Sequence, residues 1–157
     1  MSKTLWIMCG VPGSGKTYTA KNLLIRKEGW KYISRDEIRF SIVKDEEEYF
    51  SHENKVFYAF VNEINKALKN SSISDIIADA THLNWGSRRK LLANLDLEEV
   101  RVIPVVITGK LKDILERNNL RNGRARVPEE VVRNMYSRIN DPEKDPYKYA
   151  AIMRVRN

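Results

Sequence analysis

Gly10, Gly15, Lys16 and Thr17 stand at the spacing G-x-x-x-x-G-K-[ST] in "GVPGSGKT", residues 10 to 17. Those residue types at that spacing grip a nucleoside triphosphate. The glycines let backbone N–H groups converge on phosphate oxygens, and a helix starting near Lys16 aims its positive dipole end at the same anion. Pro12, Gly13 and Ser14 complete the loop. Lys16 is expected to reach the β and γ phosphates, and the Thr17 hydroxyl to ligate Mg²⁺. A nucleoside triphosphate as donor and Mg²⁺ as its ion follow from the loop, which leaves open what receives the phosphate.

Three further clusters bear on the acceptor. In "SRDEIR", Asp36 lies twenty residues after Lys16 and Arg39 one helical turn after Asp36. A carboxylate there can take the proton of an attacking hydroxyl, and the arginine offers a fork for an anionic group on the acceptor. The plainer reading makes Asp36 a helix cap and Arg39 a surface charge. In "DATHLNWGSRR", Asp79 can hold Mg²⁺-bound water or orient a substrate group, with Thr81 and Asn84 as short polar neighbours. Asn84 equally suits the cap of the next helix, and His82 reads as structural or solvent-facing. Arg117, Arg121, Arg124 and Arg126 surround a glycine-containing loop. Arginines over a γ-phosphate neutralise charge developing in the transition state, so this loop is expected to be a lid.

The elements that must position these residues alternate as strand, helix, strand, helix, which predicts a parallel sheet covered on both faces. "KTLWIMC" (3–9) reads as a buried strand and "KTYTAKNLLIRK" (16–27) as a helix. "WKYIS" (30–34) is a second strand, followed by a helix from "RDEIRFSIV". The acidic run at 45–48 is placed at the start of a long helix carrying Val56, Phe57, Phe60, Val61, Ile64 and Leu68 on its core face. "DIIADA" (75–80) is a third strand with Asp79 near its carboxyl end, and "EVRVIPVVI" (99–107) a fourth, interrupted at Pro104. A helix over 109–120, a basic loop over 121–127 and a helix from 128 with Pro128 as its first residue come next. "NDPEKDP" (140–146) is a turn before a short basic tail. Ligands of such sheets gather at the carboxyl ends of the strands, so Gly10 onward, Arg35–Asp36 and Asp79–Asn84 should meet there.

The 157 residues suffice for one domain, and the net charge of +7 favours an anionic partner. Residues 101–126 concentrate that charge, with seven Lys or Arg against two acids. Cys9, inside the first strand, reads as a packed small hydrophobe in a reducing compartment. No apolar run approaches the length of a membrane span or signal peptide, so a cytoplasmic location is expected.

"GVPGSGKT", "SRDEIRFSI", "DATHLN", "LERNNLR" and "VPEEVVRNMY", in this order and spacing, resemble the kinase domain of phage and bacterial 5′-hydroxyl polynucleotide kinases. The resemblance spans residue 4 to about 140. It implies an α/β P-loop kinase domain over 1–157 with an arginine-rich lid at about 117–127, Asp36 as general base for the 5′-hydroxyl of DNA or RNA, and Arg39 on the acceptor's neighbouring phosphate. Arg117 and Arg121 are implied in the ATP-binding lid, Arg121 over the transferred phosphate, with Arg124 beside them. Phage members often continue into a phosphatase domain, which is not expected here. Two other readings stay open. A small-molecule or nucleotide-sugar kinase would use the same loop and base. A nucleotide-dependent binding or remodelling ATPase is disfavoured because "IIADA" lacks the acidic pair usual after that strand.

Overall fold

A computed structural model describes residues 2–24 and 28–157. Five strands, β1 (Lys3–Cys9), β2 (Trp30–Ser34), β3 (Asp75–Asp79), β4 (Val100–Thr108) and β5 (Met153–Arg156), form one parallel sheet in the order β2-β3-β1-β4-β5. Central strand β1 is apolar because both its faces are covered. Leu5, Ile7 and Cys9 pack on one face with Phe57, Phe60, Ile64 and Leu91, while Met8 meets Ala20, Leu24, Ile77 and Val105 on the other. The α/β expectation holds.

The helices are α1 (Lys16–Thr19), α2 (Arg35–Ile42), α3 (Glu53–Leu68), α4 (Trp85–Ala93), α5 (Leu111–Asn119) and α6 (Glu129–Ser137). In α3 the residues expected to face the core are all buried, and Phe60 and Ile64 have no exposed surface. α1 runs directly into a π-helical turn over Ala20–Leu24, and residues 25–27 of the helix expected there lie outside the described residues.

Four expectations need correction. Pro104 does not interrupt β4: it pairs in register with Ile7, and β5 joins only from Val105 onward. At Pro104 the strand therefore has an open side, where a missing N–H costs no ladder bond. The acidic run 45–48 lies in turns before α3, where the Glu47 carboxylate accepts from the Lys44 N–H and pairs with His52 at 2.6 Å. Pro128 is the cap of α6, one residue before its first turn. The basic tail contains β5, whose alternating Met153, Arg154, Val155 and Arg156 half-bury the apolar residues along β4.

Register carries the strand ends together. Asp79 stands opposite both Met8 and Ser34, so the phosphate loop after β1, the start of α2 after β2 and the end of β3 share one edge of the sheet. No described helix is long and apolar enough to cross a membrane.

Candidate active site

The loop between β1 and α1 is shaped by two glycines in the left-handed region, Gly13 (φ 85°) and Gly15 (φ 100°). A Cβ on Gly13 would sit 2.6 Å from the Ile114 carbonyl oxygen. Two carbonyls of the loop are held from outside. Arg117 Nε donates to Gly13 O at 2.7 Å, and Asn157 Nδ2 donates to Ser14 O at 2.8 Å. Gly10 N–H donates to Thr81 O at 2.9 Å, which ties the loop to the end of β3. Carbonyls engaged outward leave N–H groups for an anion on the concave side. Lys16 Nζ curls back onto Val11 O at 3.1 Å. Burial of its ammonium lowers the Lys16 pKa, while Asp79 and Asp36 pull it upward.

At the start of α1, Thr17 Oγ1 donates to Asp79 Oδ2 at 3.0 Å, and Tyr32 Oη donates to the same oxygen. A hydroxyl and a carboxylate side by side are hard oxygen donors of the kind Mg²⁺ takes, so these residues fit the ion that the phosphate loop calls for. Burial, then Asp79, raises the Tyr32 pKa, which keeps the phenol a donor.

On the far side, Ser34 caps α2 by accepting from Glu37 N–H at 3.2 Å, so Asp36 is free of that task. Its side chain is 51% exposed and its Oδ1 accepts from Arg39 Nη1 and, at 2.7 Å, from Tyr49 Oη. Asp36 Oδ2 has no hydrogen-bond partner among the described residues. Arg39 is buried, not a surface charge. Glu53 takes its Nε at 3.0 Å and Nη2 at 2.8 Å, and Nη1 also donates to Tyr49 Oη at 3.0 Å. One Nη2–H remains for an acceptor. Arg35 pairs with Glu53 at 3.3 Å, and its Nε is buried without a partner.

Lys16, Thr17, Asp36, Arg39, Asp79, Thr81 and Arg121 line one cleft of about 460 Å³. The structure thus brings together most of the residues singled out from sequence, and adds Glu53, Tyr49, Phe50 and Tyr32. The pairing of Arg39 with Glu53 spans two helices and left no local signal; "EYF" before α3 was the only trace of the aromatic pair.

Four residues are placed elsewhere. Asn84 caps α4, its Oδ1 accepting from Ser87 N–H at 2.9 Å in a reciprocal capping box. Arg124 turns away from the phosphate loop toward the C-terminal end of α2. It donates to Val43 O, to Phe40 O at 3.4 Å and to Asp45 at 3.0 Å, and lies over the Phe40 ring. Free carbonyls at the negative end of a helix attract a guanidinium, which accounts for that choice. Arg117 lies outside the cleft, on the loop's outer carbonyl. Among the described residues Arg126 reaches only Asn119, at 3.4 Å. His82 is buried rather than solvent-facing. Its Nδ1 bonds Met8 O at 2.7 Å, its φ is 42°, and burial pushes its pKa down to about 3. Buried Cys9 has its thiol pushed up to about 12 by burial.

Residues 5–142 match the family model described as "AAA domain". Among solved structures, the chain is similar to a chain of the Pnkp1/Rnl/Hen1 RNA repair complex, at 19% identity and TM-score 0.70 over 87% of this chain and 44% of that one. It is similar to Chaetomium thermophilum Kti12 in complex with ADP-AlF3, at 16% identity and TM-score 0.68 over 97% and 88%. It is also similar to a sugar kinase from Janibacter sp. HTCC2649, at 16% identity and TM-score 0.65 over 99% and 86%. The chain spans less than half the length of the first relatives it matches. At these identities the likeness is one of fold, the P-loop kinase fold.

Proposed function

The chain belongs to the AAA-domain family, and from that premise we propose that it transfers the γ-phosphate of ATP to the 5′-hydroxyl of a DNA or RNA end. The observation that carries the reading is the pairing, in one cleft, of the phosphate-loop lysine with a half-exposed carboxylate released from capping duty. Tyr49 and Arg39 both hold Asp36 by Oδ1, so Oδ2 is the oxygen offered to an incoming hydroxyl. In the reaction the hydroxyl proton passes to Oδ2, the alcohol oxygen bonds to the γ-phosphorus, and the bond from that phosphorus to the bridging oxygen breaks, releasing ADP. Lys16 and the loop N–H groups hold the β and γ phosphates, and Arg121, on the lid side of the same cleft, faces the transferred group. Mg²⁺ held by Thr17 and Asp79 would supply charge neutralisation at the phosphates. The one free Nη2–H of Arg39 would take the phosphate 3′ to the acceptor nucleoside. We also assign residues 1–157 to a single domain with the segment 117–127, the end of α5 and the chain after it, as its lid.

A second reading, a kinase of a small polyol, is favoured by one feature. Arg39 spends four of its five N–H groups on Glu53, Asp36 and Tyr49, leaving little for a polyanion. Radiolabelled ATP offered with 5′-hydroxyl oligonucleotides, nucleoside 3′-phosphates and sugars separates the two. Label on oligonucleotides at micromolar concentration supports the proposal, and label on sugars alone overturns it.

A further inference from the structure

Six large apolar side chains are left exposed among the described residues, and of these only Phe50 lines the cleft that holds Asp36 and Arg39. Its ring is held in place. It meets Tyr49 edge to face at a centroid separation of 4.6 Å, and the Arg39 guanidinium lies 5.5 Å from its centre. Tyr49 in turn sits under the same guanidinium at 4.6 Å and bonds Asp36. A continuous chain of contacts therefore runs from the Asp36 carboxylate through Tyr49 to an aromatic surface that is 45% exposed.

Water is a poor neighbour for a phenyl ring, and a π-face at the mouth of a polar cleft is a stacking surface for a planar partner. The charges around it select what that partner can be. Asp45 and Glu47 of the same segment are engaged by Arg124 and His52, and Glu46 and Glu48 add negative charge. Such a segment repels phosphate and has only the ring to offer a nucleic acid. A nucleoside whose 5′-hydroxyl faces Asp36 carries its base one ribose away from that hydroxyl, and Phe50 lines the same cleft beside Tyr49, which bonds Asp36.

Resting on the polynucleotide reading above, we propose that Phe50 is a base-stacking subsite that binds the nucleobase of the acceptor's 5′-terminal nucleotide. Stacking on an aromatic side chain is sequence-tolerant because every base has a π-face, so the subsite would recognise the presence of a base and not its identity. It would also bind terminal nucleotides of DNA and RNA alike.

The test compares a single-stranded 5′-hydroxyl oligonucleotide with the same oligonucleotide bearing a tetrahydrofuran abasic residue at its 5′ end, using wild type, Phe50→Ala and Phe50→Trp. Loss of a stacked base is expected to raise the acceptor KM about 5- to 150-fold. Wild type should show that rise on the abasic acceptor. Phe50→Ala should show it on the intact acceptor and no further rise on the abasic one, and Phe50→Trp should restore wild-type discrimination. ATP affinity of the variants, measured alongside, should match wild type, and the melting temperature of Phe50→Ala should fall by only a few degrees through the lost contact with Tyr49. An equal KM rise on both acceptors, or none on either, overturns the subsite while leaving the polynucleotide reading intact. Wild type that labels no oligonucleotide overturns both.

Discussion

Asp36→Asn separates proton acceptance from every other duty of the residue, and the structure sets what it should cost. Asn keeps an Oδ1 that accepts from Arg39 and Tyr49, and Ser34 rather than Asp36 caps α2. The losses to stability are a first-turn negative charge, about 0.3–1 kcal/mol, and the half-exposed Asp36 side of its pair with buried Arg39, which Glu53 still neutralises, about 0–1 kcal/mol. For a chain of this length that amounts to a fall in Tm of about 1–8 °C. Transfer should fall by about 10² to 10⁴, the usual worth of a positioned general base. Ser34→Ala is the converse variant, expected to cost about 0.5–2 kcal/mol through the cap while keeping the carboxylate. Calorimetry, ATP affinity and single-turnover transfer to a 5′-hydroxyl oligonucleotide would be measured on both. Asp36→Asn with a near-normal rate would refute the reasoning and move the acceptor chemistry elsewhere, with Asp79 the next carboxylate in the cleft. Loss of ATP affinity together with the rate would make Asp36 a donor-site residue instead.

Lys16→Ala should abolish transfer and leave the melting temperature nearly unchanged, since the side chain's hydrogen bond is a single one to Val11 O; unchanged turnover in a phosphoryl-transfer assay would remove the kinase assignment. Arg124→Ala should leave the KM for ATP within about twofold, because its guanidinium serves the end of α2 and surface changes away from a site are near neutral. A tenfold rise would return Arg124 to the phosphates. His82 contributes a pH dependence to stability. Its folded pKa of about 3 lies below the unfolded value near 6.5, so the unfolded chain binds the extra proton and stability is lost as pH falls from about 6.5 toward 3. The slope should approach about 1.4 kcal/mol per pH unit. Denaturant titrations at pH 7 and pH 5 on wild type and His82→Asn check this; Asn accepts the positive φ, and an unchanged slope in that variant would clear His82 of the effect.

Hydrophobic periodicity made the sheet and α3 legible, because burial on both faces of β1 and on one stripe of α3 leaves a pattern in the residues themselves. β5 carried the same kind of pattern in Met153 to Arg156, but over four residues of which two are arginine, too short a run to outweigh the look of a basic tail. Pro104 misled for a different reason. Proline in a strand is excluded only where its N–H must pair, and whether a neighbour is present at that residue is a property of the sheet, not of β4. The acidic run at 45–48 suited a helix start by charge alone. Its turns are instead closed by Glu47 on Lys44 N–H and by the Glu48 carbonyl on Ser51, bonds that a charge count does not reveal.

The arginines show the same limit at the site. Arg117 and Arg121 are one turn apart, yet α5 ends at Asn119, so the helical register that would align them is lost between the two. Arg117 therefore stays on the helix and holds the outside of the phosphate loop at Gly13, whereas Arg121 lies past the helix and reaches the cleft. Arg124 lies within a 3₁₀ turn at Gly123–Ala125 and Arg126 just after it, and the turn sends them to α2 and to Asn119. A cluster that looks like one lid in sequence thus divides into a loop brace, a cleft residue and a latch. The division follows from chain direction at each residue, and side-chain type could not have predicted it. The same reasoning explains why Asp36 was readable and its setting was not. Residues 34–39 are a local unit of cap, carboxylate and arginine, while the groups that orient the carboxylate and saturate the arginine, Tyr49 and Glu53, arrive from beyond a turn-rich segment that only the folded chain brings close.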